Sequence, residues 1–167
     1  MTSETPAGEF RSADHAGKYL TFELAQEEYG VPVLKVREIV RMVDITPVPH
    51  MPPYVRGVIN LRGKVIPVMD LRLKLGFPRQ DYTERTCIVI VEVALTTGRV
   101  LMGMVVDRVA DVLNITSGEI DATPEFGERV QTGYMCGVAK VKGRVTILID
   151  LDQVLGSDSM AVTPRVF

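Results

Sequence analysis

Apolar and polar residues alternate along most of this chain in short runs, and close turns separate the runs. Residues 19–25 and 29–33 form one pair of such runs, and residues 86–95 and 100–113 form another. About ten runs of this kind occur, so the pattern predicts about ten short strands with little helix. Many short strands joined by close turns favour small barrels or a sandwich.

A repeat underlies this pattern. Residues 54–76 read YVRGVINLRGKVIPVMDLRLKLG, and residues 134–156 read YMCGVAKVKGRVTILIDLDQVLG, which aligns without a gap at an offset of 80. Upstream, residues 29–40 (YGVPVLKVREIV) resemble residues 102–113 (MGMVVDRVADVL) at an offset of 73. The chain therefore contains two similar halves, about 19–76 and 86–156.

We expect these halves to be two similar folding units that pack together. Five strands in each repeat would form two small barrels, because closing a sheet removes its exposed edges. The offset grows from 73 to 80 because the second half carries seven extra residues between positions 114 and 133. A duplicated core also argues against one dedicated catalytic pocket.

Equivalent turn and cap signals occur in both halves. Residues 62–63 (Arg-Gly) and 142–143 (Lys-Gly) lie between β-rich runs and predict tight hairpin turns. Asp70 and Asp150 stand directly before short apolar segments, where each predicts an N-cap of a short helix. Residues 33–40 have nearly helical spacing and predict a short helix or a turn.

The composition is that of one soluble domain of ordinary size. The chain has 167 residues, of which 46% are hydrophobic and 24% charged, and its net charge of −2 gives no reason to expect nucleic-acid or membrane binding. We expect residues 1–17 to be a disordered leader, residues 18–156 to form the folded domain, and residues 157–167 to be a tail. The start resembles no signal peptide, and no apolar run is long enough to span a membrane, so the expected location is the cytoplasm.

The usual catalytic and metal-binding patterns are missing from the sequence. Cys87 and Cys136 lie in apolar runs and are interpreted as buried free thiols, while His15 and His50 are isolated from other metal-ligating residues. The glycines do not form a phosphate-binding loop, and no serine has the context of a nucleophile. The sequence therefore predicts a protein that is not an enzyme and needs neither cofactor nor metal.

Basic residues cluster in the first half and suggest a contact surface. The cluster comprises Arg56, Arg62, Lys64, Arg72 and Lys74, and three of the five equivalent positions in the second half carry no positive charge. A solvated face is the simple interpretation. However, Arg62 occupies a hairpin tip between apolar strands, and arginine at such a position is a frequent interface anchor. A small-barrel nucleic-acid binder is a further alternative, disfavoured by the net charge and by the scarcity of aromatic residues.

Several motifs, in one order and spacing, resemble those of a known family. Residues 57–72 (GVINLRGKVIPVMDLR), preceded by the proline-containing residues 48–55, closely resemble the signature of the CheW family of bacterial chemotaxis coupling proteins. Residues 27–40, 101–113 and 122–128 look like further parts of the same family pattern. The resemblance covers residues 18–156, nearly the whole folded chain.

The resemblance implies an all-β fold of two five-stranded, Src-homology-3-like barrels packed around a shared hydrophobic core. It also implies a non-catalytic scaffold that links methyl-accepting chemotaxis receptors to the histidine kinase CheA. The implied contacts are the receptor's cytoplasmic tip and the kinase's own CheW-like regulatory domain. Such a scaffold is cytoplasmic and reaches the inner face of the membrane through the receptors, without inserting into the membrane itself.

Four positions match the family's partner-contacting residues, namely Val36, Glu38, Gly57 and Arg62. We therefore expect these to be the protein-binding residues. The motifs do not separate chemotaxis from a related motility or developmental pathway, so a CheW-like adaptor of such a pathway remains an alternative.

Overall fold

The computed structural model describes residues 10–124 and 133–156, and most of these residues form β-strands. The strands are β1 (Gly17–Leu24), β2 (Glu27–Pro32), β3 (Val36–Arg41), β4 (Val55–Leu61), β5 (Lys64–Asp70), β6 (Cys87–Leu95), β7 (Gly98–Val106), β8 (Arg108–Ile115), β9 (Ile120–Asp121), β10 (Met135–Val141) and β11 (Arg144–Ile149). Two short helices follow β5 and β11, namely α1 (Leu71–Lys74) and α2 (Leu151–Leu155). Single 3-10 turns form at Ser12–His15, Val33–Lys35 and Ser117–Glu119. The predicted all-β class with little helix is confirmed.

The strands form two sheets that each draw on both halves of the repeat. One sheet has the order β3-β6-β7-β5-β4, and the other has the order β8-β1-β2-β11-β10-β9. The hairpin β1–β2 of the first half thus joins strands of the second half, and the hairpin β6–β7 of the second half joins strands of the first. The two units are therefore not the two halves of the sequence, because the halves exchange their first hairpins.

Each sheet curls around its own inner cluster and forms a barrel-like unit. We call the unit built from β3–β7 the contiguous barrel, because its strands are consecutive in the chain. Its inner cluster includes Ile59, Ile66 and Ile88. We call the other unit the split barrel, because its strands come from both ends of the folded region, and its inner cluster includes Ile115 and Leu148.

A third and larger cluster lies between the two barrels and contains residues from both sheets. Phe22 and Leu24 of β1 meet Val91 of β6 and Met104 of β7 in this cluster, and Leu155 of α2 joins them. All five side chains are fully buried. Strand β6 is buried on both faces, which explains why its sequence CIVIVEVAL is almost continuously apolar instead of alternating.

The local turn and cap predictions are confirmed. Arg62 and Lys142 both adopt the left-handed conformation, with φ of 52° and 53°, and a glycine with positive φ follows each of them. The Asp70 carboxylate accepts hydrogen bonds from the backbone N–H groups of Arg72 (3.0 Å) and Leu73 (3.4 Å). The Asp150 carboxylate caps α2 in the same way.

Two segments differ from the expectation. Only Val33–Lys35 turns as a 3-10 helix, and β3 begins at Val36, because its β-branched residues pair with β6. Ordered structure also begins before Lys18. Phe10 stacks on the His15 ring at a centroid distance of 5.3 Å and packs against the split barrel's inner cluster. Residues 1–9 of the expected leader, residues 125–128 of the family motif and the expected tail lie outside the described residues.

The exchanged hairpins predict that the first half cannot fold alone. In a fragment of residues 1–80, the hairpin β1–β2 lacks β8 and β11, and β5 lacks β7. We expect this fragment to show weak, non-cooperative thermal unfolding by circular dichroism, whereas the full chain unfolds in one cooperative transition. Two independent transitions in the full chain would contradict a shared core.

Candidate protein-binding site

The four predicted contact residues all belong to the contiguous barrel. Val36 and Glu38 lie on β3, Gly57 lies on β4, and Arg62 occupies the turn between β4 and β5. Strands β3 and β4 are the two ends of this sheet, so the barrel has an open seam between them. Arg62 and Glu38 therefore face each other across that seam.

Arg62 and Glu38 form a bidentate ion pair. Arg62 Nη1 donates to Glu38 Oε2 at 3.0 Å, and Arg62 Nη2 donates to Glu38 Oε1. The side chains are 70% and 32% exposed, respectively. These hydrogen bonds hold the pKa of the Glu38 carboxyl below its usual value and raise the pKa of Arg62, so both groups are charged at neutral pH. The two hydrogen bonds to Glu38 fix the orientation of the planar Arg62 guanidinium in the free protein.

The hairpin tip that carries Arg62 is fixed by its own turn. The Asn60 side-chain oxygen accepts a hydrogen bond from the Gly63 backbone N–H at 2.8 Å. The residue beyond the glycine, Lys64, is exposed, and Val65 is 70% exposed. The tip thus places an exposed apolar side chain next to an arginine, a residue type that is enriched among interface anchors.

Gly57 presents no side chain to a partner, because it is buried under the segment that precedes β4. Its φ is +139°, and a Cβ atom there would lie 2.0 Å from the carbonyl oxygen of Thr46. Thr46 and Val58 exchange two backbone hydrogen bonds of 2.9 Å at this point. Gly57 therefore allows the proline-containing segment to approach β4. Whether it contributes to binding through that segment stays a prediction.

Val36 is half-buried and packs against the cluster between the barrels. Its neighbour Leu34 is 89% exposed, and Ile39 on the same strand is 45% exposed. Leu34 was not among the predicted contacts, although an apolar residue this exposed is a natural candidate for one. In the sequence, Leu34 lies in a segment whose apolar spacing is neither clearly helical nor clearly alternating. Such spacing does not show whether the side chain points towards the core or towards solvent.

The basic cluster of the first half does not form one surface. Arg72 is buried and pairs with Asp107 at 2.7 Å. The Arg56 guanidinium lies 5.7 Å from the centre of the Tyr82 ring, and the Lys74 ammonium lies 4.3 Å from the centre of the Tyr54 ring. Arg62 and Lys64 remain as the exposed members, which is too few for a backbone-tracking nucleic-acid groove.

Partial burial makes both cysteine thiols poorly reactive. Burial raises the pKa of the Cys87 thiol and raises that of Cys136 to about 12, so neither is a ready nucleophile. Within residues 10–124 and 133–156, no group of three His, Cys, Asp or Glu side chains is arranged to hold a metal ion. The same part of the chain contains no helix with the length and apolarity needed to cross a membrane.

A family model described as the CheW-like domain matches residues 18–159. The chain belongs to the CheW family. It is 37% identical over 149 residues to the chemotaxis protein CheW of Klebsiella aerogenes, covering 89% of this chain and 87% of that protein. It is 36% identical over 152 residues to the chemotaxis protein CheW of Rhizobium meliloti, covering 86% and 96% of the two chains.

A solved structure supports the same conclusion for the fold. The crystal structure of the scaffolding protein TtCheW from Thermoanaerobacter tengcongensis superposes with a TM-score of 0.74 at 34% identity, covering 83% of this chain and 92% of that one. The similarity to the CheW fold that the motifs implied is thus confirmed.

Replacing Gly57 by alanine should destabilise the fold. The new Cβ would overlap the Thr46 carbonyl in a backbone conformation that L-residues rarely adopt, so we expect a loss of more than about 2 kcal/mol in the free energy of unfolding. Gly63→Ala is the matched control, because its Cβ would meet open space and only the positive φ would cost about 1 kcal/mol. Chemical denaturation measures both, and equal losses would contradict the close approach.

The ion pair predicts a measurable change at Glu38. In Arg62→Ala we expect the pKa of the Glu38 carboxyl, followed by NMR titration, to rise towards its ordinary value. Because the folded-state pKa is lowered in the wild type, the pair stabilises the fold at pH values above the ordinary glutamate pKa. That contribution is lost as the pH falls through the lowered pKa. Lys142→Ala should leave the Glu38 titration unchanged. An unchanged pKa in Arg62→Ala would mean that the pair does not form in solution.

Proposed function

We propose that this protein is a non-catalytic scaffold that couples methyl-accepting chemotaxis receptors to the histidine kinase CheA. The observation that carries the proposal is the exposed ion pair between Arg62 and Glu38, which is already oriented in the free protein. This pair lies on a chain that is similar to chemotaxis CheW proteins and whose fold matches that of the scaffolding protein TtCheW. The partners implied by the family pattern are the cytoplasmic tip of the receptor and the CheW-like regulatory domain of the kinase.

The geometry at Arg62 suits recognition of another protein. Its guanidinium is largely exposed, although two of its nitrogens already donate to Glu38. A partner can therefore add hydrogen bonds to the remaining donors without removing Arg62 from its present orientation. Because the side chain is already held, less conformational entropy is lost on binding than for a free arginine.

Exposed apolar residues accompany the ion pair on the same barrel. Leu34 precedes β3, Ile39 lies on β3, and Val65 follows the hairpin tip. Burying such side chains against a partner supplies most of the affinity, whereas charged groups mainly supply specificity and orientation. We infer that these residues, with Val36, Glu38 and Arg62, form the partner-binding part of the contiguous barrel.

The proposed location is the cytoplasm, with recruitment to the inner face of the membrane through the receptors. A CheW-like adaptor of a related motility or developmental pathway would use the same fold and the same contact residues. Purification of the protein from its source cell, followed by identification of the co-purifying kinase and receptor, separates the two pathways. Recovery of neither kind of partner would contradict the scaffold proposal.

Arg62→Ala should weaken partner binding without unfolding the protein. The side chain lies outside the hydrophobic clusters, so the thermal midpoint should stay close to that of the wild type. Loss of an interface arginine commonly lowers affinity by about tenfold or more, and we expect this for receptor-tip fragments, for the kinase regulatory domain or for both. Calorimetric titration measures each affinity.

Lys142→Ala is the control, because Lys142 occupies the equivalent tip of the split barrel with the same backbone conformation. We expect a smaller effect there. A charge-swapped double variant, Glu38→Arg with Arg62→Glu, keeps an ion pair across the seam but reverses what is presented to a partner. It should melt normally and still bind poorly. Wild-type affinity of Arg62→Ala for both partners would show that this hairpin is not a contact surface.

A further inference from the structure

The chain crosses between the barrels at two places within the described residues. The first crossing is the turn Val33–Lys35, between β2 of the split barrel and β3 of the contiguous barrel. The second crossing is Asp107, between β7 and β8. These two crossings are the covalent connections about which the barrels could rotate. A carboxylate lies at each of them: Asp107 forms the second crossing itself, and Asp152 of α2 pairs with Lys35 of the first.

At the second crossing, Asp107 forms what we call the buried clamp. Its Oδ2 accepts from Arg72 Nη1 at 2.7 Å and from the Ala25 backbone N–H at 2.9 Å. Arg72 belongs to α1 at the end of the contiguous barrel, and Ala25 belongs to the β1–β2 turn of the split barrel. The Arg72 side chain is only 10% exposed and that of Asp107 is 32% exposed, so water screens the cation of this pair weakly.

At the first crossing, Asp152 forms what we call the exposed clamp. Its Oδ2 accepts from Lys35 Nζ at 3.3 Å, and its Oδ1 accepts from the Ala94 backbone N–H at 2.8 Å. Asp152 belongs to α2 of the split barrel, and Ala94 belongs to β6 of the contiguous barrel. Both side chains of the ion pair are more than one third exposed. Water and salt therefore screen this clamp strongly.

The two clamps occupy related places in the repeat but have opposite polarity. Arg72 and Asp152 are equivalent positions of α1 and α2, at the offset of 80. In the buried clamp the helix supplies the cation, and in the exposed clamp the helix supplies the anion. In both, a carboxylate accepts the N–H of a hairpin residue, Ala25 or Ala94. Polar contacts thus hold the two barrels together at both crossings. The buried clamp holds them firmly, and the exposed clamp holds them weakly.

We propose that the exposed clamp is a latch, meaning that its contacts from Asp152 to Lys35 and Ala94 break and re-form in the folded protein. The barrels then separate locally at the first crossing, while the buried clamp keeps the second crossing closed. The proposal extends to regulation and, in that part, rests on the proposed function. Lys35 lies between Leu34, which is 89% exposed, and Val36, a predicted contact. A partner that docks on Leu34 and Val36 fixes the backbone of Lys35 and thereby favours the closed latch.

The latch is tested first in the free, full-length protein by amide hydrogen exchange measured with NMR. The N–H of Ala94 reports on the exposed clamp, and the N–H of Ala25 reports on the buried clamp. We expect Ala94 to exchange faster than Ala25 in the wild type. Lys35→Met removes the charge and should accelerate exchange at Ala94 by about two- to fivefold, with Ala25 unchanged.

Lys140→Met is the matched control. Lys140 forms an exposed ion pair with Asp121 at 2.8 Å, within the split barrel and away from both crossings. This variant should change neither reporter amide. The latch is overturned if Lys35→Met leaves Ala94 exchange unaltered, or if Lys140→Met accelerates it equally, because the effect would then be a general one of charge.

The coupling is tested by saturating the wild type with a receptor-tip fragment. We expect exchange at Ala94 to slow in the complex while exchange at Ala25 stays the same. If the fragment binds and Ala94 exchange is unchanged, the coupling is wrong. If the fragment does not bind at all, the proposed function and the coupling both fail, whereas the measurements on the free protein still decide whether the latch exists.

Discussion

Burial between the two barrels is the interaction on which this molecule depends. Residues of β1, β6, β7 and α2 meet in one cluster that neither barrel can complete alone. A fully buried aliphatic or aromatic side chain contributes about 1.5–3 kcal/mol relative to an exposed one, far more than a solvated ion pair. The apolar contact therefore holds the barrels together, and the polar contacts at the crossings adjust how they are held.

The same division of roles applies to the candidate site. The site is built on an apolar, buried core, which includes Ile66 and Ile88 inside the contiguous barrel. Its chemistry consists of one ion pair across the barrel's open seam. Because that pair joins Glu38 of β3 to Arg62 in the turn after β4, it links the two ends of the sheet and orients the Arg62 guanidinium. A scaffold of this kind needs no reactive group, and the partly buried thiols of Cys87 and Cys136, whose pKa values are raised, supply none.

Local features of the fold followed from the sequence, and non-local ones did not. The turns at Arg62 and Lys142 and the caps at Asp70 and Asp150 depend on neighbouring residues, so short-range patterns were sufficient. The exchange of hairpins depends on which strand pairs with which, and alternation carries no information about distant partners. Arg72 illustrates the same limit, because its burial depends on Asp107, which lies 35 positions further along the chain.

The candidate site was partly visible for the same reason. Arg62 could be placed at a hairpin tip from its own surroundings, and Glu38 could be placed on the same half of the chain. Their pairing, 24 positions apart, follows from the seam between β3 and β4, which only the assembled barrel defines. Leu34 was missed because its exposure depends on the crossing between barrels, and the segment around it has both helical and extended character.

The exchange of hairpins also determines the order in which the two barrels can form during synthesis on the ribosome. The contiguous barrel consists of consecutive strands and can pair its sheet as soon as β7 has emerged. The hairpin β1–β2 is made first but must wait for β8 and β11, roughly 80 to 120 residues later, which is on the order of ten seconds at ordinary translation rates. During that interval both edges of an apolar hairpin lack their partners. A chain interrupted before β11 would therefore present strand edges suited to aggregation, and completion of the C-terminal strands is what protects the N-terminal ones.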